Sequence, residues 1–228
     1  MVIVFDININ HTMQSCGSGA FETPYSSMSN NPIMYTDKLR DSILVKGKDG
    51  NKYKYINGKL YNGKNEYKLN TDTFVDKTLK TIQDISKSGS EGNRLVNELA
   101  NDDKHWLRIK YEDGKQEYHS GNISFDFDLE TKVMDEKGYN LMPNWLIMAH
   151  EMAHAEDAFR GTINNDVWGM VGDKDVKESE KYATHIENKI RAQSNLPLRT
   201  HYGIIIYTDM TVKPVLKILD SNGNSLFY

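Results

Sequence analysis

Apolar residues alternate with polar ones in the first part of this chain, switch to a spacing of three to four, and later return to alternation. Residues 43 to 69, ILVKGKDGNKYKYINGKLYNGKNEYKL, set Val, Tyr, Ile and Leu against Lys and are broken by Asp-Gly and Asn-Gly steps. Those steps are strong short hairpin signals, so a small exposed β-meander with a solvated lysine face is predicted over 41–70. Behind a Thr-Asp start, Phe74, Leu79, Ile82 and Ile85 recur at near-helical spacing, and SEGNRLVNELAND from residue 90 continues in kind. Two helices are expected there. HWLRIKYEDGKQEYHSGNISFDFDL then predicts a strand at 105–112, a Gly turn and a strand at 121–129 with Ile123, Phe125, Phe127 and Leu129 on one face. Helical patterns follow at 143–160 and 176–194, and GIIIYTDM, VKPVLKILD and SLFY close the chain as terminal strands. No internal repeat is present beyond the Tyr/Asn-Gly rhythm of the meander.

Residues 10 to 40 are rich in Ser, Gly, Asn and Pro, which predicts a flexible leader over 1–40 that could carry a secretion or docking signal. Its start, MVIVFDININHTMQ, lacks a basic segment and meets Asp6 too early for a signal-peptide core, so it reads as a short strand. With 228 residues, 38% of them apolar, the remainder is expected to form a single domain over 41–228. A net charge of −4 argues against a nucleic-acid partner. No run approaches the roughly 18 to 20 apolar residues of a membrane helix, so no membrane partner is expected. Cys16 is the only cysteine, which excludes an internal disulfide. If the chain is exported, a specialised secretion machine or a larger carrier chain must do it.

The chemistry concentrates in IMAHEMAHAEDAFRG, residues 147 to 161. Pro143 suits a first helical position and nothing downstream breaks the helix until Gly161. Residues four apart stack on one helix face, so His150 and His154 converge while Glu151 sits beside them. Neutral imidazoles bind zinc, a catalytic site leaves one position for water, and the adjacent carboxylate can take that water's proton. With seven histidines in 228 residues, a chance His-Glu-x-x-His is on the order of one per cent. Leu146, Ile147, Met148, Met152 and Ala153 would bury this helix. A surface helix whose histidines pair with Glu151, Glu156 or Asp157 would show the same letters.

Two histidines hold zinc poorly, so a third ligand must come from elsewhere. Asp157 and Arg160 stand where a metzincin would need Gly and His, which excludes that subtype, and no Asn-Glu follows at thermolysin-like spacing. The nearest carboxylates are Glu178, Glu180 and Glu187 in VKESEKYATHIENKIRAQ, with His185 as a further possibility.

AHEMAHA, then ESEKYATHIENKIR, then LPLRTHYG resemble the NleD-like family of bacterial effector metalloproteases, whose members occur as type III effectors and as toxin tips of Rhs-type proteins. The likeness covers about residues 142 to 203 and is weaker over 43 to 140. The family carries a Glu-Glu pair, then Glu-Asn-x-x-Arg and a terminal Arg-x-x-Tyr, and botulinum-type light chains have a similar arrangement. The resemblance aligns Glu180 with the second acid of the pair, making it the third ligand, while Ser179 replaces the first and leaves Glu178 as a competitor. It implies a second-shell ion pair for Glu187 and Arg191, with His185 packed beside them. Arg199 and Tyr202 become oxyanion donors on a loop stiffened by Pro197, with His201 as a lesser candidate.

The resemblance thus implies an α+β zincin-like fold with a mixed sheet, a catalytic core over 141–203 flanked by helices and sheet at 71–140 and terminal strands at 204–228. It implies one Zn2+ per chain held by His150, His154 and Glu180, with Glu151 as general base. The function expected is that of a secreted effector or toxin endopeptidase cutting a protein in the cytoplasm of a target cell. Substrate should pair with a sheet edge, for which NISFDFDL is the candidate, with Asp126 and Asp128 facing outward. A catalytically silent binding module, a zinc hydrolase of another amide bond, and a structural domain without metal are the rival readings.

Overall fold

The Asn-Gly steps turn the chain where the alternation requires it. β1 (Ile43–Lys46), β2 (Lys52–Ile56), β3 (Lys59–Asn62) and β4 (Asn65–Glu66) form an antiparallel meander. Asn57 and Gly58 both take positive φ between β2 and β3, at 48° and 83°, as the tight hairpin turn demands. The computed structural model describes residues 42–228, so the expected leader at 1–40, its strand and Cys16 lie outside the described residues.

The meander continues into a larger sheet. β1 runs parallel to β5 (Leu107–Tyr111), β5 runs parallel to β7 (Asn122–Phe125), and β6 (Gln116–His119) completes the sheet antiparallel to β7. The seven strands lie in the order β4-β3-β2-β1-β5-β7-β6. Ile43, Val45, Leu107, Ile109, Ile123 and Phe125 are wholly buried and join the helices in one core.

This order overturns two expectations. The strand predicted at 121–129 ends at Phe125 and is interior, so NISFDFDL cannot offer a free edge; the edge is β6. Asp126 does not face outward: it is buried and accepts the backbone N–H of Gly114 at 3.0 Å and of Asp128 at 3.0 Å. Asp128 is exposed, with Lys77 3.3 Å away. The polar sequence QEYH hides β6, because an edge strand buries little and shows no apolar alternation.

Four helices are found among the described residues: α1 (Thr73–Lys87), α2 (Ser90–Ala100), α3 (Asn144–Phe159) and α4 (Ser179–Gln193). Asp72 caps α1 by accepting from the N–H groups of Phe74 and Val75. Pro143 is the N-cap of α3, one position earlier than predicted, with extended ψ of 141°. Every residue from Leu146 to Asp157 is buried, because α1, α2, α4, β6 and β7 surround α3. A helix enclosed on all sides must find partners for its polar residues, and in α3 these are His150, Glu151, His154, Glu156 and Asp157.

The short strands β8 (Lys132–Asp135), β9 (Gly138–Leu141), β10 (Val167–Val171) and β11 (Lys174–Lys177) carry no period long enough to be read from sequence. β12 (Arg199–Ile206) and β13 (Val212–Lys217) form the expected terminal hairpin. With β8 and β9 they make a second sheet in the order β13-β12-β8-β9, while β10 and β11 pair as a separate hairpin. The chain is a mixed α+β protein.

Glu156 ties three helices together behind the site. Arg94 of α2 donates to both of its carboxylate oxygens, Tyr182 of α4 donates its hydroxyl at 2.7 Å, and Arg160 lies at 2.8 Å. Arg94→Ala should cost about 2–3 kcal/mol, because Glu156 stays buried while its main cation is gone; the figure lies below the usual range for buried pairs because Arg94 is partly exposed. Urea unfolding would check it, and a loss below about 0.5 kcal/mol would show that Tyr182 and Arg160 suffice.

Candidate metal centre

One helical turn separates His150 from His154, and their ring centroids lie 4.9 Å apart at 80°. α4 packs against α3 and brings Glu180, in its first turn, to both rings. Glu180 Oε2 is 3.1 Å from Nε2 of His150 and 3.1 Å from Nε2 of His154. One ligand atom from each of the three buried residues falls within 4.8 Å of the others. Metal–ligand bonds of about 2.0–2.1 Å at tetrahedral angles would place the donors about 3.3 Å apart, so the trio fits a small divalent cation.

Glu187 sets which nitrogen of His150 would face such a cation. The ring's Nδ1 lies 3.1 Å from Oε2 of Glu187, a wholly buried carboxylate. Glu187 also accepts from Arg191 Nε at 2.7 Å and Arg199 Nη1 at 3.0 Å. With Nδ1–H donating to Glu187, Nε2 of the neutral ring presents a lone pair to Glu180, and two lone pairs 3.1 Å apart call for positive charge between them. The electrostatics also call for positive charge there, and without a metal a proton on His150 supplies it. Burial pulls the His150 pKa down, but Glu180 and Glu187 outweigh it and hold it up at about 10. Burial likewise raises the carboxyls of Glu180 and Glu187, yet the histidines pull the first, and chiefly Arg199 and Arg191 the second, well below the usual carboxylate range.

Glu151 is held differently. Its Oε2 accepts the backbone N–H of Tyr118, in β6, at 2.7 Å. Its Oε1 is buried with no partner. Burial raises its pKa. An orphaned buried oxygen costs about 1–3 kcal/mol, which makes it a candidate for a working group. A cleft of about 230 Å3 opens beside it, with Tyr118, His119, Glu151, His154, Lys177 and Glu180 in its walls.

Of the acids left open by the sequence, Glu180 meets the histidines, whereas Glu178 pairs with Lys181 at 2.6 Å and stays outside the trio. The ring of His185 lies 5.0 Å from that of Tyr228. His201 Nδ1 lies 3.0 Å from the Thr200 hydroxyl.

Arg199 and Tyr202 lie on strand β12 rather than on a loop, since Asn188 exchanges two hydrogen bonds with the Arg199 backbone and anchors the strand to α4. The Arg199 guanidinium is spent on Glu187, on the His201 carbonyl at 3.2 Å and on the Tyr202 carbonyl at 2.5 Å. It therefore sits behind His150. The Tyr202 ring lies 4.9 Å from that guanidinium, and burial together with nearby Glu180 raises its hydroxyl well above the ordinary phenol range.

Sequence reasoning missed Tyr118, which acts through its backbone and leaves no signature in residue type. It also missed Trp168 of β10, whose ring lies 5.9 Å from that of Tyr202. The β10–β11 hairpin reaches this position because Gly203 and Gly169 leave room for neighbours: a Cβ on Gly203 would meet Val171 at 2.2 Å, and one on Gly169 would meet Leu216 at 2.5 Å.

Residues 62–202 match the model of peptidase family M91, described as effector protein, which covers more than half of the chain. No curated protein and no solved structure matches significantly. The ordered motifs around His150, Glu180 and Tyr202 fall on or within the matched span, and the chain belongs to this NleD-like peptidase family of effector proteins.

Proposed function

We propose that the chain is a zinc-dependent endopeptidase of zincin-like fold, acting on a protein of the cell into which it is delivered. The observation that carries this reading is the unpartnered Oε1 of Glu151 beside the buried trio of His150, His154 and Glu180. His150, His154 and Glu180 would hold one zinc ion per chain, and the donor set of two imidazoles and a carboxylate suits that metal. When bound, zinc supplies Lewis acidity, which makes water a nucleophile near neutral pH and polarises a carbonyl.

The remaining chemistry belongs to side chains. Glu151 takes a proton from the attacking water through Oε1 and returns it to the departing amine. The Tyr202 hydroxyl stays protonated because its pKa is raised, and it donates to the developing oxyanion. Arg199 serves from behind, holding Glu187 against His150. The edge strand β6 offers backbone groups to an extended substrate beside the cleft. No helix among the described residues is long and apolar enough to cross a membrane.

The test pairs metal analysis with a search for new protein termini in a lysate treated with the purified chain. About one zinc per chain and discrete cleavage products are expected. Glu180→Ala should weaken zinc binding by more than about a hundredfold, beyond the loss that removing an outer partner causes, and Glu178→Ala should leave it near wild type. The reverse ranking would move the third ligand to Glu178, and a metal-free, inactive wild type would overturn the reading.

A further inference from the structure

We propose that the backbone amide of Tyr118 is a positioning group for Glu151, so that one peptide unit of the edge strand both borders the substrate cleft and aims the base. This rests on the reading of Glu151 as the base. The inference goes beyond it by assigning the group that fixes which carboxylate oxygen is free.

Glu151 has two points of attachment. Its backbone is locked in α3, which is enclosed on all sides, and its Oε2 is locked by the Tyr118 N–H at 2.7 Å. With both ends held, rotation of the carboxylate is restrained, and Oε1 is left without a partner. A carboxylate free to turn would present its two oxygens interchangeably and in many orientations. The N–H makes the choice.

The sheet geometry explains why this amide is available. Tyr118 lies opposite Ile123 in the β6–β7 ladder, and its N–H is directed to Glu151 rather than to β7. β6 has no strand on its other side among the described residues, so an inner strand could not spare this donor. The side chain holds the strand in place: the half-buried Tyr118 ring packs on the core, and its hydroxyl accepts the Gly121 N–H at 3.1 Å. Gln116 pins the other end, donating to the carbonyls of Asp126 and Leu129 and to Asn144. One consequence concerns substrate. A peptide lying along β6 cannot use the Tyr118 N–H, so its pairing there is made with other backbone groups of the strand.

Proline at 118 removes the N–H without removing a ladder hydrogen bond, and edge strands admit proline where the N–H faces away from the sheet. Tyr118→Ala is the reference, because it loses the ring as proline does but keeps the amide. The probe is a fluorogenic peptide built on the most frequent cut that wild type makes in a denatured lysate. Relative to Tyr118→Ala, Tyr118→Pro is expected to lower kcat about 10- to 100-fold with KM changed less than about threefold. Zinc content and the unfolding midpoint of the two variants are measured alongside. Should Tyr118→Pro lose zinc or fold, replacing the Tyr118 amide by an ester in semisynthetic protein deletes the same donor with the side chain intact, and the same loss in kcat is expected.

Equal kcat for the proline and alanine variants, or for the ester and wild type, overturns the positioning role while the base assignment stands. A loss confined to KM assigns the amide to substrate pairing instead and overturns the proposal too. Turnover that survives Glu151→Ala, or no turnover by wild type on any lysate peptide, removes the parent reading and this inference with it.

Discussion

Glu151→Ala is expected to keep its zinc and lose cleavage by about 10²- to 10⁴-fold, the range that a positioned general base contributes. The metal should stay because Glu151 is not among the three residues whose ligand atoms converge. The fold should stay as well. Glu151 makes one hydrogen bond, to Tyr118, and its other oxygen has none, so alanine removes a desolvated carboxylate and leaves one backbone N–H to find water. The variant is expected to be slightly more stable than wild type, because a buried, half-satisfied carboxylate is gone. Zinc content, an unfolding curve and the appearance of new termini check the three parts together. Cleavage within about tenfold of wild type would take the base role away from Glu151.

Glu187→Ala is expected to produce the largest loss of stability of any single change near the site, about 3–5 kcal/mol. The carboxylate is wholly buried and is the shared partner of Arg191 and Arg199, themselves only 3% and 6% exposed. Removing it strands two guanidinium groups in the interior. It also frees Nδ1 of His150, which loses the acceptor that fixes its tautomer. Zinc affinity should therefore fall by about 10- to 100-fold. Denaturation in the presence of a chelator isolates the stability effect, and zinc titration of the folded protein measures the affinity. A cost below about 1 kcal/mol would mean that water replaces the carboxylate and that Glu187 is not the hub described. Glu187→Gln, which keeps the shape and loses the charge, should fall between the two.

What could be read from the sequence follows the length and regularity of each element. α3 and α4 were legible because sixteen- and fifteen-residue helices give the spacing time to repeat, and His150, Glu151 and His154 sit inside the first of them. The meander was legible through its turns. β6, β8 and β9 were not, since strands of four residues are too short to carry a usable period. That gap had a cost for function, because the hidden β6 is the edge that borders the cleft, while the more apolar β7 drew attention precisely for the burial that makes it interior. Arg199 shows a second limit. Its residue type suits an oxyanion donor or an ion-pair partner equally, and only the position of Glu187 twelve residues earlier in the chain decides which acceptor it meets.

The glycine seats beneath the β10–β11 hairpin bear on how such a protein can vary. The hairpin joins the helix that carries the histidines to the helix that carries Glu180, so its footing governs where the later helix begins. Its tip, Gly172 and Asp173, is exposed to solvent, whereas any side chain at 169 or 203 would meet Leu216 or Val171. Added length is thus expected to be tolerated at the tip and resisted at the base, where the hairpin sets the start of the helix that carries Glu180.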